Sequence, residues 1–273
     1  LTRVAALRHA VVERVRRVLA GRSGAVAAAL MTGHRGAIGE IELEAMRDAG
    51  LAHLLAISGL HVGLIAAVIF FVMRALLATS PWLALRQPIK KWSAMVTICG
   101  AFAYLLMAGA TIPTQRAFLM TSLVLIAVLF DRLAFSMGLV AWAAAVILLI
   151  SPEALLGASF QMSFAAVVAL IAAYEVGRQG LVEWRGRQGG WGRGWRWPLI
   201  YLAGIALTTL VAGLATAPFA LVSFNRVVSY GLVANLLAVP LMALWIMPLV
   251  VAAYALMPLG LEALALWPMG LGI

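Results

Sequence analysis

The sequence predicts an all-α fold, a polytopic transmembrane bundle of about seven to eight helices. Three observations predict it. Hydrophobic residues fill 64% of 273 positions, only 11% are charged, and mean hydropathy is +1.04, where a soluble domain carries roughly twice that charged share. Apolar runs of about 20 residues, long enough to cross a bilayer core, recur along the chain. The single cysteine, Cys99, sits inside one of them, which excludes disulfides and thiolate metal sites.

Residues 3–19, RVAALRHAVVERVRRVL, repeat with a helical period. Val4, Leu7, Val11, Val15 and Val18 share one face, while Arg3, His9, Glu13, Arg14, Arg16 and Arg17 take the other. Arg8 alone intrudes on the apolar side. A basic amphipathic helix of this kind is expected to lie on a membrane surface, and its charge also suits a polyanion. Gly33-His34-Arg35-Gly36 reads as a turn, and Ile38–Ala49 returns to helix with four acids. Residues 1–50 thus form an amphipathic, interfacial segment and residues 51–273 the membrane bundle.

Membrane helices are expected near 51–77 (broken at Ser58-Gly59), 93–109, 113–130, 134–150, 157–174, 199–222 and 230–256, with another opening near 260. The chain starts at Leu1 and stops inside an apolar stretch at Ile273, as expected of one domain from a longer protein. Pro218 should kink the sixth helix, and Pro240 and Pro248 the seventh. Residues 175–197, EVGRQGLVEWRGRQGGWGRGWRW, read as a long flexible loop because glycine recurs through them.

Charge placement orients the bundle. The 74–91, 131–133 and 175–197 connections carry Arg74, Arg86, Lys90, Lys91, Arg132, Arg178, Arg185, Arg187, Arg193 and Arg196, against Arg116 and Arg226 on the opposite side. The positive-inside rule makes the richer side cytoplasmic and leaves the amino-terminal helix outside.

Polar residues at hydrocarbon depth are functional candidates by default. The most concentrated set is Gly50–Leu64, GLAHLLAISGLHVGL, with His53, Ser58, Gly59 and His61. Three readings compete. A Ser/His hydrolase would use Ser58 and His61, but no oxyanion-hole motif or third orienting group accompanies them. A metal site is weak, because His53 and His61 lie roughly 80° apart even on an unbroken helix. A discontinuous helix whose ends build a polar constriction fits best.

Arg116 lies about one turn inside the helix opened by Pro113, where it either snorkels to the interface or lines a polar path and meets phosphate. Gln161, with Ser159 and Ser163, suits helix–helix hydrogen bonding. Thr208, Ala212 and Thr216 make a close-packing seam, and Asn225, Arg226, Ser229 and Asn235 suit either a turn or a pore lining.

His53-Leu54-Leu55-Ala56-Ile57-Ser58-Gly59-Leu60-His61-Val62 resembles the signature of the ComEC family of competence proteins. Four further blocks match in order: ALMTGHRGAI (29–38); Pro113, Arg116-Ala117 and Met120; Ser151-Pro152 with Gly157–Phe164; and Ala217-Pro218, Asn225, Ser229-Tyr230-Gly231, Asn235-Leu236 and Pro240. His34 stands where the family commonly has an acid. Family members usually add an OB-like domain before this region and a metallo-β-lactamase-like domain after it.

The resemblance implies an inner-membrane channel that passes single-stranded DNA into bacteria during natural transformation, and no enzyme activity, cofactor or metal in this chain. On that reading His53, Ser58, Gly59, His61, Arg116, Gln161, Asn225 and Asn235 line the DNA path, while Arg14, Arg17, Arg185 and Arg193 attract phosphate. Tryptophans of 175–197 would stack emerging bases. No G-x-x-x-x-G-K-[ST] loop is visible, so the expected partners, besides single-stranded DNA and the bilayer, are a DNA receptor outside and a motor or DNA-binding protein inside. The rival reading is a transporter of a small anion or lipid intermediate.

Overall fold

A computed structural model describes the backbone of residues 2–51, 57–131, 137–186, 193–224 and 231–273, and their side chains except those of residues 2, 178–186, 193–199 and 224. Among these residues the regular structure is helical throughout. The helices are α1 (Thr2–Val18), α2 (Gly21–Thr32), α3 (Glu40–Asp48), α4 (Gly59–Ala78), α5 (Pro81–Arg86), α6 (Ile89–Met107) and α7 (Ile112–Leu129). They continue with α8 (Met137–Ile150), α9 (Ala158–Gly186), α10 (Arg193–Phe224), α11 (Gly231–Leu241), α12 (Met247–Leu256) and α13 (Ala263–Leu271). Residues Met242–Ile246, just after Pro240, form a π turn where the proline takes a donor out of the helical ladder.

Five segments are long and apolar enough to cross a membrane: Gly59–Ala78, Ile112–Leu129, Ala158–Gly177, Ile200–Ser223 and Gly231–Leu259. Met137–Ile150 is apolar but shorter. The protein is a multi-pass membrane protein. Its surface agrees, since Phe71, Leu76, Phe102, Trp142, Leu149, Leu214 and Leu244 are exposed while alanines of α2 and α6 are buried. Large apolar groups outward and small ones inward is the arrangement for helices packed in lipid.

The chain divides into two compact units, residues 1–134 with 240–273 and residues 135–239. In the second, α9 and α10 pack along each other and α8 packs on α9. The loop expected over 175–197 is largely helix here: α9 runs through Gly186 and α10 opens at Arg193. An interior glycine costs a helix only about 1 kcal/mol, and Leu181, Val182 and Trp184 between the glycines carry no breaker. The α10 helix also continues past Pro218 to Phe224.

In the first unit α4, α6 and α7 pack on one another. Gly33 stands against both Ile57, just before α4, and Ala108, just after α6. The four residues 108–111 turn α6 into α7, and Lys91 Nζ reaches Asp131 Oδ2 (2.6 Å), joining the start of α6 to the end of α7. The opposite end therefore collects the start of α4, the end of α6 and the start of α7. Helix α1 docks its Val11, Val15 and Leu19 side against α2, α6 and α13. The apolar stripe assigned to a membrane surface is thus turned onto protein, and Leu7 is left exposed.

Helix α2 has no counterpart among the predicted elements, yet eight of its twelve residues are buried. At about 18 Å it is too short to span a bilayer. Its carboxyl end supplies carbonyls that no helix can satisfy internally, and each finds a donor from a different source. Gly33 N–H donates to Ala29 O (2.8 Å), Tyr104 Oη to Leu30 O (2.8 Å), Tyr254 Oη to Met31 O (2.6 Å) and Arg8 Nη2 to Thr32 O (3.0 Å). This end is the point where α1, α6 and α12 are tied together.

Candidate functional site

Three turns prepare the site. Gly50 (φ 74) closes α3, with Gly50 N–H on Arg47 O (3.0 Å) and Leu51 N–H on Met46 O (2.8 Å). Gly109 (φ 85) closes α6 in the same way, with Gly109 N–H on Leu106 O (3.2 Å) and Ala110 N–H on Leu105 O (3.0 Å). Both are Schellman caps, and both need the left-handed residue. At the third turn, Gly33 (φ 73), an added Cβ would stand 2.5 Å from Ala108 O, so α2 ends directly against the end of α6.

Ile57 and Ser58 are not helical and α4 starts at Gly59, on the carboxyl side of the predicted interruption, whose other side, residues 52–56, lies outside the described residues. Ser58 is its N-cap (φ −116, ψ 177) and His61 occupies the N3 place that glutamate or glutamine fills in a capping box. Ser58 N–H donates to His61 Nδ1 (3.3 Å), and Ser58 Oγ lies 3.1 Å from the same nitrogen. A backbone N–H can only donate, so Nδ1 accepts and a neutral ring carries its proton on Nε2. His61 is fully buried. Gly59 has an ordinary φ, and a Cβ added to it would meet nothing within 4 Å, so the break rests on the Ser58–His61 cap and not on glycine freedom. His53 lies outside the described residues.

Arg116 sits on the first turn and a half of α7 and is 6% exposed. It is buried in protein, so of the two readings of this residue snorkelling does not fit. Thr111 caps this helix, its hydroxyl bonded to that of Thr114, and Thr114 Oγ1 also bonds Thr111 O (3.0 Å). The start of α4 with His61 and the start of α7 with Thr114 and Arg116 share one end of the α4–α6–α7 group. Farther along the same group Ser93, Thr97 and Ser122 are buried too, and Thr97 Oγ1 returns to Ser93 O (2.7 Å).

Other expected site residues stand elsewhere. Gln161 and Asn235 belong to the second unit. Gln161 Nε2 donates to Leu155 O (3.1 Å) in the turn before its own helix, a local cap in place of the helix–helix bond expected. Asn235 Oδ1 is buried with no hydrogen-bond partner among the described residues. Thr208 and Thr216 return their hydroxyls to Gly204 O (2.9 Å) and Ala212 O (2.8 Å) within α10. Asn225 and the side chains of Arg185 and Arg193 lie outside the described residues.

Arg14, expected to attract phosphate, is already matched to a carboxylate. Its Nε and Nη2 meet Glu262 Oε1 and Oε2 at 2.7 Å each, and Nη2 also donates to Met257 O (2.8 Å). The hydrogen bond from Arg14, first of all, holds the Glu262 carboxyl below its ordinary range, and the same bond raises Arg14. This forked pair pins α1 to the start of α13. Arg17 remains exposed. Among the described residues no three His, Cys, Asp or Glu side chains gather as metal ligands would.

The profile of the competence protein family, described as "Competence protein", matches residues 30–273. The chain belongs to that family. It is similar to "Competence protein ComA" of Neisseria gonorrhoeae, 38% identical over 161 residues that make up 57% of this chain and 23% of the relative. It is similar to "ComE operon protein 3" of Bacillus subtilis (strain 168), 27% identical over 250 residues, 92% of this chain and 29% of the relative. "Recombination protein 2" of Haemophilus influenzae is 27% identical over 226 residues, 82% of this chain and 27% of that protein. The chain therefore spans between a fifth and a third of the length of these curated relatives. No solved structure matches it.

Sequence reasoning missed Arg8, Tyr104, Tyr254 and Glu262 as organising residues. Arg8 did carry a signal, as the one charge on an apolar face. A tyrosine near the end of an apolar helix has no pattern that distinguishes a buried hydroxyl from an interfacial one.

Proposed function

We propose that this chain is the membrane channel domain through which single-stranded DNA enters a bacterium during natural transformation, seated in the cytoplasmic (inner) membrane. The observation that carries the reading is Arg116, a guanidinium buried at the same end of the packed helices α4, α6 and α7 as the Ser58–His61 cap. A buried cation is costly in a bilayer and earns its place at a polyanion's path. The competence family to which the chain belongs supplies the substrate class. DNA would cross with its phosphates passing Arg116, drawn in by a salt-dependent attraction.

On this reading the chain carries out no covalent chemistry. Ser58 and His61 serve as a helix cap, since the imidazole nitrogen that would act as base already accepts a backbone N–H. The strand would be handed over by a DNA receptor outside and drawn by a motor or DNA-binding protein inside. The ten-charge side would face the cytoplasm.

The test is transformation of a competent bacterium whose own family member is deleted, complemented with the full-length protein. Arg116→Ala should lower the frequency by about tenfold or more, the effect of losing ~1.4 kcal/mol at a barrier, with normal amounts in the membrane. Arg116→Lys should recover part of it. Full frequency in Arg116→Ala would instead favour transport of a small anion or lipid intermediate.

A further inference from the structure

A cleft of about 120 Å³ opens between α1 and the end of α2, lined by Ala5, Arg8, His9, Val12, Thr32 and His34. Four of the six residues, Ala5 to Val12, precede the segment matched to the family. Its polar lining is one guanidinium, two imidazoles and one hydroxyl, with no carboxylate. The His9 and His34 rings, from α1 and from the turn after α2, are tilted to each other with centroids 6.2 Å apart.

The guanidinium is held in place by the fold. Arg8 Nη2 donates to Thr32 O (3.0 Å), and its flat group lies against Gly109, where an added Cβ would come within 2.7 Å of Nη2. Arg8 Nε is buried and has no hydrogen-bond partner among the described residues. Thr32 Oγ1 already bonds Ala28 O (2.8 Å) and receives His34 N–H (3.4 Å), which fixes the wall opposite. A fixed cation with a spare donor, flanked by two imidazoles and free of acids, is chemistry for a tetrahedral oxyanion.

We propose that this cleft is a phosphate-group site, filled by the headgroup of an anionic phospholipid or by free phosphate. Its small volume admits one phosphate group and not a stacked strand. The surroundings favour the membrane boundary: Leu7 beside it on α1 and Ile112, three residues beyond Gly109, are exposed apolar side chains at the end of a membrane helix. Occupancy there would clamp α1 to the end of α2, whose Thr32 carbonyl Arg8 already caps. The proposal is independent of the DNA path.

The test is calorimetric titration of inorganic phosphate into the full-length protein at constant ionic strength, first in phosphate-free maltoside micelles. One saturable site is expected, weakened about tenfold in Arg8→Gln, as for loss of a charge-assisted bond. The double variant H9Q/H34Q, which leaves the Thr32 cap alone, should weaken it as well. Nanodiscs separate the sources. Loss of phosphate binding in phosphatidylglycerol discs, with retention in phosphatidylcholine discs, makes the lipid headgroup the occupant; retention in both makes it free phosphate. No saturable binding in micelles, or equal binding by H9Q/H34Q, would overturn the proposal. So would capture of oligothymidylate without capture of phosphate.

Discussion

Ser58 and His61 close the start of the first membrane helix on each other, backbone N–H to Nδ1 at 3.3 Å and hydroxyl to Nδ1 at 3.1 Å. The pair marks where α4 must begin, and it explains a histidine at full burial without catalysis or metal.

If His61 is a cap, glutamine should replace it better than alanine, since glutamine is a natural N3 partner that cannot act as a base. Thermal unfolding in detergent should show Ser58→Ala destabilised by about 1 kcal/mol and His61→Gln less than His61→Ala. Transformation should follow the same order. Labelling of Ser58 by a serine-directed probe would instead revive a nucleophilic role.

Tyr104 and Tyr254 each supply one hydroxyl to adjacent carbonyls of a buried helix end. Phenylalanine at either position leaves a carbonyl unsatisfied and should cost ~1–2 kcal/mol by the same measurement. The wild-type stability in Tyr104→Phe would show that water replaces the hydroxyl.

The Arg14–Glu262 pair makes docking of α1 dependent on pH. The carboxyl is held low in the folded protein, chiefly by the Arg14 hydrogen bond. Its contribution is therefore complete above the ordinary glutamate value of about 4.3 and is lost as pH falls through the lower, folded one. Protease nicking at the Leu19-Ala20 connection between α1 and α2 should rise below that range in the wild type, and Glu262→Gln should show the raised nicking already at neutral pH.

Two glycines should respond oppositely to alanine. Gly33 has a positive φ and stands against Ala108 O, so Gly33→Ala should cost at least ~1–2 kcal/mol. Gly59→Ala meets open space and should be neutral or slightly stabilising in thermal unfolding. Severe loss in Gly59→Ala would restore glycine as the cause of the break.

Much of this architecture is legible in the sequence. Five of the expected membrane helices match segments long and apolar enough to cross a membrane, because burial in lipid needs only composition and length, while the runs expected over 93–109 and 134–150 fall outside those five. The break at Ser58 is legible because polar residues interrupt an apolar run. Helix α2 is not, since its alanine-rich GRSGAVAAALMT is neither long enough for a span nor amphipathic; its burial comes from small residues that let neighbours approach. The α1 stripe is apolar as expected but meets protein rather than lipid, because periodicity locates a buried face without naming what covers it. Arg14 looks like a free cation in the sequence because its partner Glu262 lies 248 residues away.

The most direct test of the DNA path places a photo-crosslinking residue at Leu60, half-buried beside the cap, and another at Val72, exposed on the outer side of the same helix. Each full-length variant is irradiated in a transformable cell while labelled single-stranded DNA is being taken up. The account predicts DNA adducts at position 60 and none at position 72. Equal labelling at both positions, or none at position 60 while transformation proceeds normally, would contradict it.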